Sequence, residues 1–335
     1  MIEIDGSFGE GGGGILRNAI TFSLLTQKPF RIVNIRKNRP KKGLAHQHLK
    51  CLELAKLVSN SKITGASIGS SHVEFFPEKI QKGGTYTLDI KTAGAITLLL
   101  QSVFLPCYLS GHRFKFKIIG GTDVPFSPGC DFFKQIYLSN FNFKNMKFEI
   151  NRRGYYPKGF GEVDFSFQSN KTSNTQELNF RDRGRLQTLR SQAHASFELQ
   201  KLEVLENLNS ALNVYLSDLE APRLNQNVYS HSLSQGSGLL LKAQFENFNI
   251  GISKIHSDID YLAKNSSKEM IELLNTGEGV DHYLADQLIP LLATQKGVIQ
   301  SDKITNHIIS AIYTAEKFLD IKIKIDKKNC EISYL

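Results

Sequence analysis

A short glycine turn running straight into an apolar helix appears three times along this chain. Gly9-Glu10-Gly11 precedes ILRNAITFSLL, Thr92-Ala93-Gly94-Ala95 opens ITLLLQSV, and Gly277-Glu278-Gly279 precedes VDHYLADQLIPLLA. Recurrence of one supersecondary unit constrains topology more than any local propensity, because each unit must bury its helix against its own strands and its siblings. The first two units lie close together and the third is far downstream. The pattern therefore predicts one domain built from both ends of the chain and interrupted by an insert.

The runs between the turns agree with an α/β (α+β) class. Ile2 to Ile4, Phe30 to Ile35, His72 to Phe76 and Phe114 to Ile119 read as strands. They alternate with helical patterns at Ile15 to Leu25, Leu44 to Val58 and Ala95 to Leu109. A polar stretch, Gln168 to Thr175, reads as a loop or linker. From Leu178 the composition turns polar and Asn-rich, with a strand-like piece at Leu186 to Phe197 and a helix-like piece at Glu206 to Leu216. The expected division is a large domain of residues 1–177 and 276–335 with a small inserted domain of residues 178–275.

At 335 residues, with 41% apolar and 22% charged residues, the chain can bury a substantial core and is not expected to be disordered. Its net charge of +9 favours an anionic partner such as nucleic acid or nucleotide, or serves solubility alone. Cys51, Cys107, Cys130 and Cys330 are widely spaced with no CxxC pair, as expected of a reduced, cytoplasmic chain without structural zinc. The N-terminus does not read as a secretory signal. Ala95 to Leu109 is interrupted by Gln101 and is too short for a confident membrane span.

Several constellations carry possible chemistry. DGSFGEGGGGILR, Asp5 to Arg17, sets one carboxylate, Glu10, among glycines before a helix start. Glycines admit an anion to backbone N–H groups and the helix adds its positive end, so the run is either a phosphate site or a ligand-free turn. It is neither a Walker loop nor GxGxxG. IRKNRPKKGLAHQHL clusters Arg36, Lys37, Arg39, Lys41 and Lys42 around Pro40, which suits phosphate contacts or a solvated loop. On the helix that follows, His48 shares a face with Leu44, Cys51 and Ala55, the position of a core histidine, with Gln47 beside it. IIGGTDVPFSPGCDF is either a rigid connection or a binding loop. RRGYYPKGFGEV suits base stacking or a surface turn. In the third unit Gln287 interrupts an apolar stripe and is flanked by Tyr283 and Asp286, which together offer a ring, a carboxylate and an amide. His307 opens the last helix; from spacing alone it is more often structural.

Taken together, GSFGEGGGGILR, RKNRPKKGLAHQHL, TAGAITLLLQSV, GGTDVPFSP, GYYPKGFGE and YLADQL with the later His307 and AEKFL resemble the RNA 3′-terminal phosphate cyclase family, in the family's order and over nearly the whole chain outside the insert. The resemblance implies a large domain of three βαβαββ-type repeats with a small α/β domain inserted before the last repeat. It also implies an ATP-dependent conversion of an RNA 3′-phosphate to a 2′,3′-cyclic phosphodiester, through a histidine-AMP intermediate and an RNA-adenylate. The nucleophile would be His307. Glu10 would hold a divalent metal, Mg2+ or Mn2+. Gln101 and the run Tyr283, Leu284, Ala285, Asp286, Gln287 would contact ATP, with Tyr283 near the adenine and Asp286 and Gln287 orienting His307 or the nucleotide. Arg17, Arg36, Arg39, Gln47 and His48 would meet ATP or RNA phosphates. The partners implied are RNA with a 3′-phosphate end and ATP, with no membrane.

The chain also departs from the family's pattern. Ser310 and Ala311 stand where a Thr-Asn pair is usual, Gly129 where a second proline is common, and Phe160 breaks a glycine run. A Gly-Glu-Lys-Arg-like segment is not recognisable in ISKIHSDIDYLAKN. The rival reading is the cyclase-like ribosome-biogenesis branch, non-catalytic in this chemistry; His307 beside Glu10 and Arg17 argues against it. An enolpyruvyl-transferase-like enzyme would need two comparable domains, which one small insert fits poorly.

Overall fold

The computed structural model describes residues 1–170, 177–219, 221 and 223–335. The first repeat is β1 (Ile2–Asp5), α1 (Gly14–Thr26), β2 (Phe30–Val33), α2 (His46–Ser59), β3 (Lys62–Thr64) and β4 (Val73–Phe76). Its sheet has the order β1-β2-β4-β3; β1 and β2 are parallel, and the hairpin β3-β4 is added antiparallel to β2. The second repeat follows the same plan with β5 (Gly84–Asp89), α3 (Ile96–Leu109), β6 (Arg113–Gly120), α4 (Cys130–Phe132), β7 (Phe143–Arg152) and β8 (Gly161–Ser169), in the order β5-β6-β8-β7. Here α4 runs on as a π turn, Phe133–Tyr137, and a 3-10 turn, Leu138–Asn140.

The third repeat uses β9 (Leu178–Phe180), and later α7 (His282–Thr294), β14 (Gly297–Gln300), α8 (Asn306–Phe318), β15 (Lys324–Asp326) and β16 (Glu331–Tyr334). Its order, β15-β16-β14-β9, with β9 parallel to β14 and both other pairings antiparallel, reproduces the first two sheets. The three glycine turns mark α1, α3 and α7, so the repeat legible in the sequence is the repeat in the fold. One boundary differs from the sequence reading. Leu178–Phe180 lies where the composition has already turned polar, yet it pairs with β14 and completes the third sheet. Long-range strand pairing, invisible to local composition, decides that assignment. Likewise β8 continues through Gln168 to Ser169, into the segment expected as linker; residues 171–175 of that segment lie outside the described residues.

Between β9 and α7 the chain builds a fourth sheet from β10 (Leu186–Ser196), β11 (Arg223–Ser230), β12 (Ser237–Phe245) and β13 (Asn249–Ile255), ordered β11-β10-β12-β13, with α5 (Val204–Tyr215) and α6 (Ile259–Asn275) packed together. β10 and β11 are parallel and need the α5 crossover; the other pairs are antiparallel.

The core joins the inner faces of the sheets to a set of packed helices. α1 packs against α3 and α8, α2 against α3, and α7 against α8. α3 is apolar nearly all round because it is enclosed, with Leu99, Leu100, Val103 and Phe104 fully buried. Among the described residues no helix is long and apolar enough to cross a membrane.

Candidate active site

The two ends of the chain meet at the first glycine turn. Phe8 stacks on Tyr313 of α8 with ring centroids 4.1 Å apart, the Asp5 amide donates to the Tyr313 hydroxyl at 3.2 Å, and the Glu10 amide donates to Ser310 Oγ at 3.2 Å. A Cβ on Gly9, whose φ is +57°, would land on Ser310 Oγ, so glycine is required both for the backbone conformation and for the close approach. Ser310, one of the departures from the family pattern, thus fastens the turn to α8. The consequence is chemical: His307, capped into the first turn of α8 by Thr305, comes to face Glu10, with Nδ1 3.7 Å from a carboxylate oxygen.

The other Glu10 oxygen is ion-paired with the Arg39 guanidinium. Arg39 sits on the basic loop, whose neck is closed by the Gly43 amide donating to the Ile35 carbonyl at 2.9 Å. Arg36, on the same loop, adopts φ +53° and donates to the Gly43 carbonyl at 3.1 Å. Arg17 projects from α1 beneath the turn. Burial lowers its pKa, opposed by Cys51 and by Asp286 of α7. Burial in turn raises the Asp286 pKa, offset by His307 and Arg17. One carboxylate therefore lies in the fields of both a cation and the histidine.

These groups border a cavity of about 880 Å3, large enough for a nucleotide. Its lining includes Glu10, Arg17, Arg36, Arg39, Gln101, Tyr283, Asp286, Gln287 and His307. Gln101 Nε2 donates to Gln287 Oε1 at 2.7 Å, and Gln287 donates to the Tyr283 carbonyl, so the two amides from α3 and α7 hold one another at the cavity wall. Tyr283 is half exposed, its ring 4.0 Å from that of His282, which is hydrogen-bonded to Asp302.

Four of the residues expected at the site stand behind the cavity. Leu284 and Ala285 are fully buried, because on a helix their neighbours Tyr283 and Asp286 take the open face. The Gln47 side chain accepts from the Ala95 amide at 2.9 Å and thereby caps the start of α3. His48 is buried under the turn, where a Cβ on Gly13 would strike its ring, and its Nδ1 accepts from the Ala45 amide at 3.2 Å. Burial, with Arg17 and Arg36 nearby, pushes its pKa down to about 3. That is the core histidine its helical face implied, and it supports the glycine turn from behind instead of lining the cavity.

The opposite wall is the loop Val124 to Gly129, with Pro125, Phe126 and Pro128. It is anchored from below. Arg153 donates to Asp123 at 2.8 Å and to Asp131 at 2.6 Å, and all three are buried. His194 of β10 faces Asp123 at 3.3 Å while its Nδ1 meets the Tyr155 hydroxyl at 2.9 Å. The RRGYYPKGFGEV segment therefore supplies a buried anchor through Arg153 and Tyr155, while Tyr156 is exposed. Asp123, Asp131 and His194 are spaced to share a cation. The Arg153 guanidinium already holds one oxygen of each carboxylate, which makes the cluster an ion network, not a metal site. At Gly129 a Cβ would meet Asp123 Oδ1 at 2.8 Å and Ser253 Oγ at 3.0 Å, so the wall is fitted to glycine here.

Sequence reasoning missed Lys254 and Lys303, both on the lining. Lys303 lies four residues before His307 and was within reach of the motif. Lys254 comes from β13, in ISKIHSDIDYLAKN, where nothing local signals a role. The sequence profile of RNA 3′-terminal phosphate cyclases matches residues 8–325. This chain belongs to the RNA 3′-terminal phosphate cyclase family. It is 38% identical to the RNA 3′-terminal phosphate cyclase of Thermococcus kodakarensis over 95% of this chain and 92% of that protein. The cyclases of Saccharolobus islandicus (35%; 98% and 97% covered) and Pyrococcus abyssi (36%; 97% and 95% covered) are similar over equally complete lengths. The match to this family spans both ends of the chain that build the cavity, and ATP as co-substrate fits the family.

Proposed function

We propose that the chain is an ATP-dependent RNA 3′-terminal phosphate cyclase that works through a histidine-AMP intermediate. The observation that carries this reading is the placement of His307 and Glu10, from opposite ends of the chain, at one corner of a cavity bordered by Arg17, Arg36 and Arg39. With Nδ1 turned to the Glu10 carboxylate, the tautomer protonated on Nδ1 leaves the Nε2 lone pair free. Nε2 attacks the ATP α-phosphorus, an N–P bond forms, the α–β bridging P–O bond breaks, and pyrophosphate leaves. A terminal RNA phosphate oxygen then attacks the same phosphorus and imidazole departs, giving an RNA-adenylate. Attack of the adjacent 2′-hydroxyl on the RNA phosphorus closes the cyclic diester and expels AMP.

Each step gathers negative charge on phosphate oxygens, which the three arginines and the positive end of α8 would offset. Gln101, Gln287 and Tyr283 would orient the nucleoside. The donor set suits Mg2+ or Mn2+, because such ions take one or two carboxylates and otherwise phosphate oxygens and water. Glu10 would hold the ion, whose chemistry is to withdraw charge from bound phosphate. Arg39 would then exchange Glu10 for a phosphate.

Incubation with α-labelled ATP and Mg2+ tests the reading. Wild type should acquire an acid-labile, alkali-stable label that His307→Ala does not. Label retained in that variant would refute the nucleophile, and no label in a folded wild type that still binds RNA would favour the non-catalytic branch. Glu10→Ala should lower labelling far more than RNA binding; equal loss would point to a structural role.

A further inference from the structure

The face of the fourth sheet that points away from α5 and α6 does two things. Strand register places Leu224, Arg190, Lys242 and Gly251 in one row across β11, β10, β12 and β13, with Gln226, Gln192, Leu240 and Ser253 in the next. At the β13 edge Ser253 lines the catalytic cavity, and the π turn after α4 lies over the same face, where a Cβ on Gly251 of β13 would press on Ile136 and Gln135 reaches Gln192 of β10. Beyond that turn, towards β11, a second cavity of about 230 Å3 opens between the sheet and Gln135.

Its lining is polar: Gln135, Arg190, Gln192, Asn225, Gln226 and Lys242 contribute most of it. Arg190 and Lys242 are directly paired across the antiparallel strands. Like charges in that position repel and cost stability. Burial and the facing Arg190 both lower the Lys242 pKa. Among the described residues no carboxylate lies within ion-pair distance of either cation, whereas Lys254 on the same sheet is paired with Glu269. Gln192 donates to Asp131 at 2.7 Å and accepts from Gln135, and these amides cannot neutralise the pair, but the second N–H of Gln135 and Gln192 and the amide of Gln226 can donate to an anion.

We propose that this cavity is a phosphate-binding site separate from the catalytic one. A planar guanidinium fork opposite a point charge matches two oxygens of one phosphate, and the amides complete the set. The phosphate has two chemical sources: a backbone phosphate of the RNA upstream of its 3′ end, which rests on the function proposed above, or a free phosphate compound.

The double variant Arg190→Gln/Lys242→Gln separates them. Its label from α-labelled ATP should equal wild type, because neither residue touches the catalytic cavity; this readout stands or falls with the cyclase reading alone. If the RNA backbone is the source, a 3′-phosphorylated 12-mer should bind about tenfold more weakly, its log K against log salt slope should fall by about 0.7, and a dinucleotide should bind unchanged. If a free compound is the source, the 12-mer is unaffected and calorimetric binding of inorganic phosphate or pyrophosphate to this cavity is lost in the variant. Thermal unfolding supplies the structural control: removing an uncompensated cation pair should leave the midpoint equal or raised. Unchanged binding of the 12-mer, phosphate and pyrophosphate, or a lowered midpoint that accounts for the loss, overturns the proposal.

Discussion

Acid should unfold this protein in part through a single histidine that stands behind the cavity wall. His48 is buried under the glycine turn with its pKa down at about 3, whereas in the unfolded chain it titrates near 6.5. Between those values the unfolded state binds a proton that the folded state refuses. Stability therefore rises with pH through this window and is lost as pH falls below about 6.5. From pH 7 to pH 5 the loss from His48 alone is about 2 kcal/mol, and about 4 kcal/mol by pH 3.5. His48→Gln should remove this component. Gln at the third helical position can still meet the free amide of Ala45, as His48 Nδ1 does now. Urea unfolding of both proteins at pH 7, 6 and 5 gives the test as the difference between their pH slopes, since every other titrating group is common to both. Parallel slopes would refute the argument, and would mean that the imidazole finds a proton acceptor or water in the folded state.

Other consequences follow from the same geometry. Gly9→Ala forces an alanine to φ +57° and onto Ser310 Oγ, which should cost ~1–3 kcal/mol and slow formation of the labelled adduct; Gly9→Ala/Ser310→Ala should recover part of that rate, and no recovery would show that backbone strain alone is responsible. Arg153→Met strands two buried carboxylates and should destabilise by ~3–5 kcal/mol in thermal unfolding. Asp123 is held well below the carboxylate range by His194 and Arg153 against its burial, so the network's contribution is present at neutral pH and is lost as pH falls below about 4. The Arg153→Met penalty should accordingly shrink in acid, and a penalty independent of pH would count against it.

The repeat, the helices and most of the residues that line the cavity were legible in the amino-acid sequence because each rests on local chemistry or a local motif. Glycine turns must precede helices where backbones approach closely, apolar periodicity marks the faces that must be buried, and His48 sat on such a face. Glu10, Arg17, Arg36, Arg39, Gln101, Asp286, Gln287 and His307 could be named as candidates on motif alone. Only the tertiary structure could decide which of the candidates share one space. Leu284 and Ala285 turn inward because the helix commits one face to the core, and Gln47 is spent on the amide of Ala95. Leu178–Phe180 joins a sheet whose other strands lie more than a hundred residues later. Lys254 and the Arg190–Lys242 pair acquire meaning only through strand register, which sets residues from distant segments side by side. Pairing of that kind depends on chain closure and burial over the whole molecule, and no window of sequence contains it.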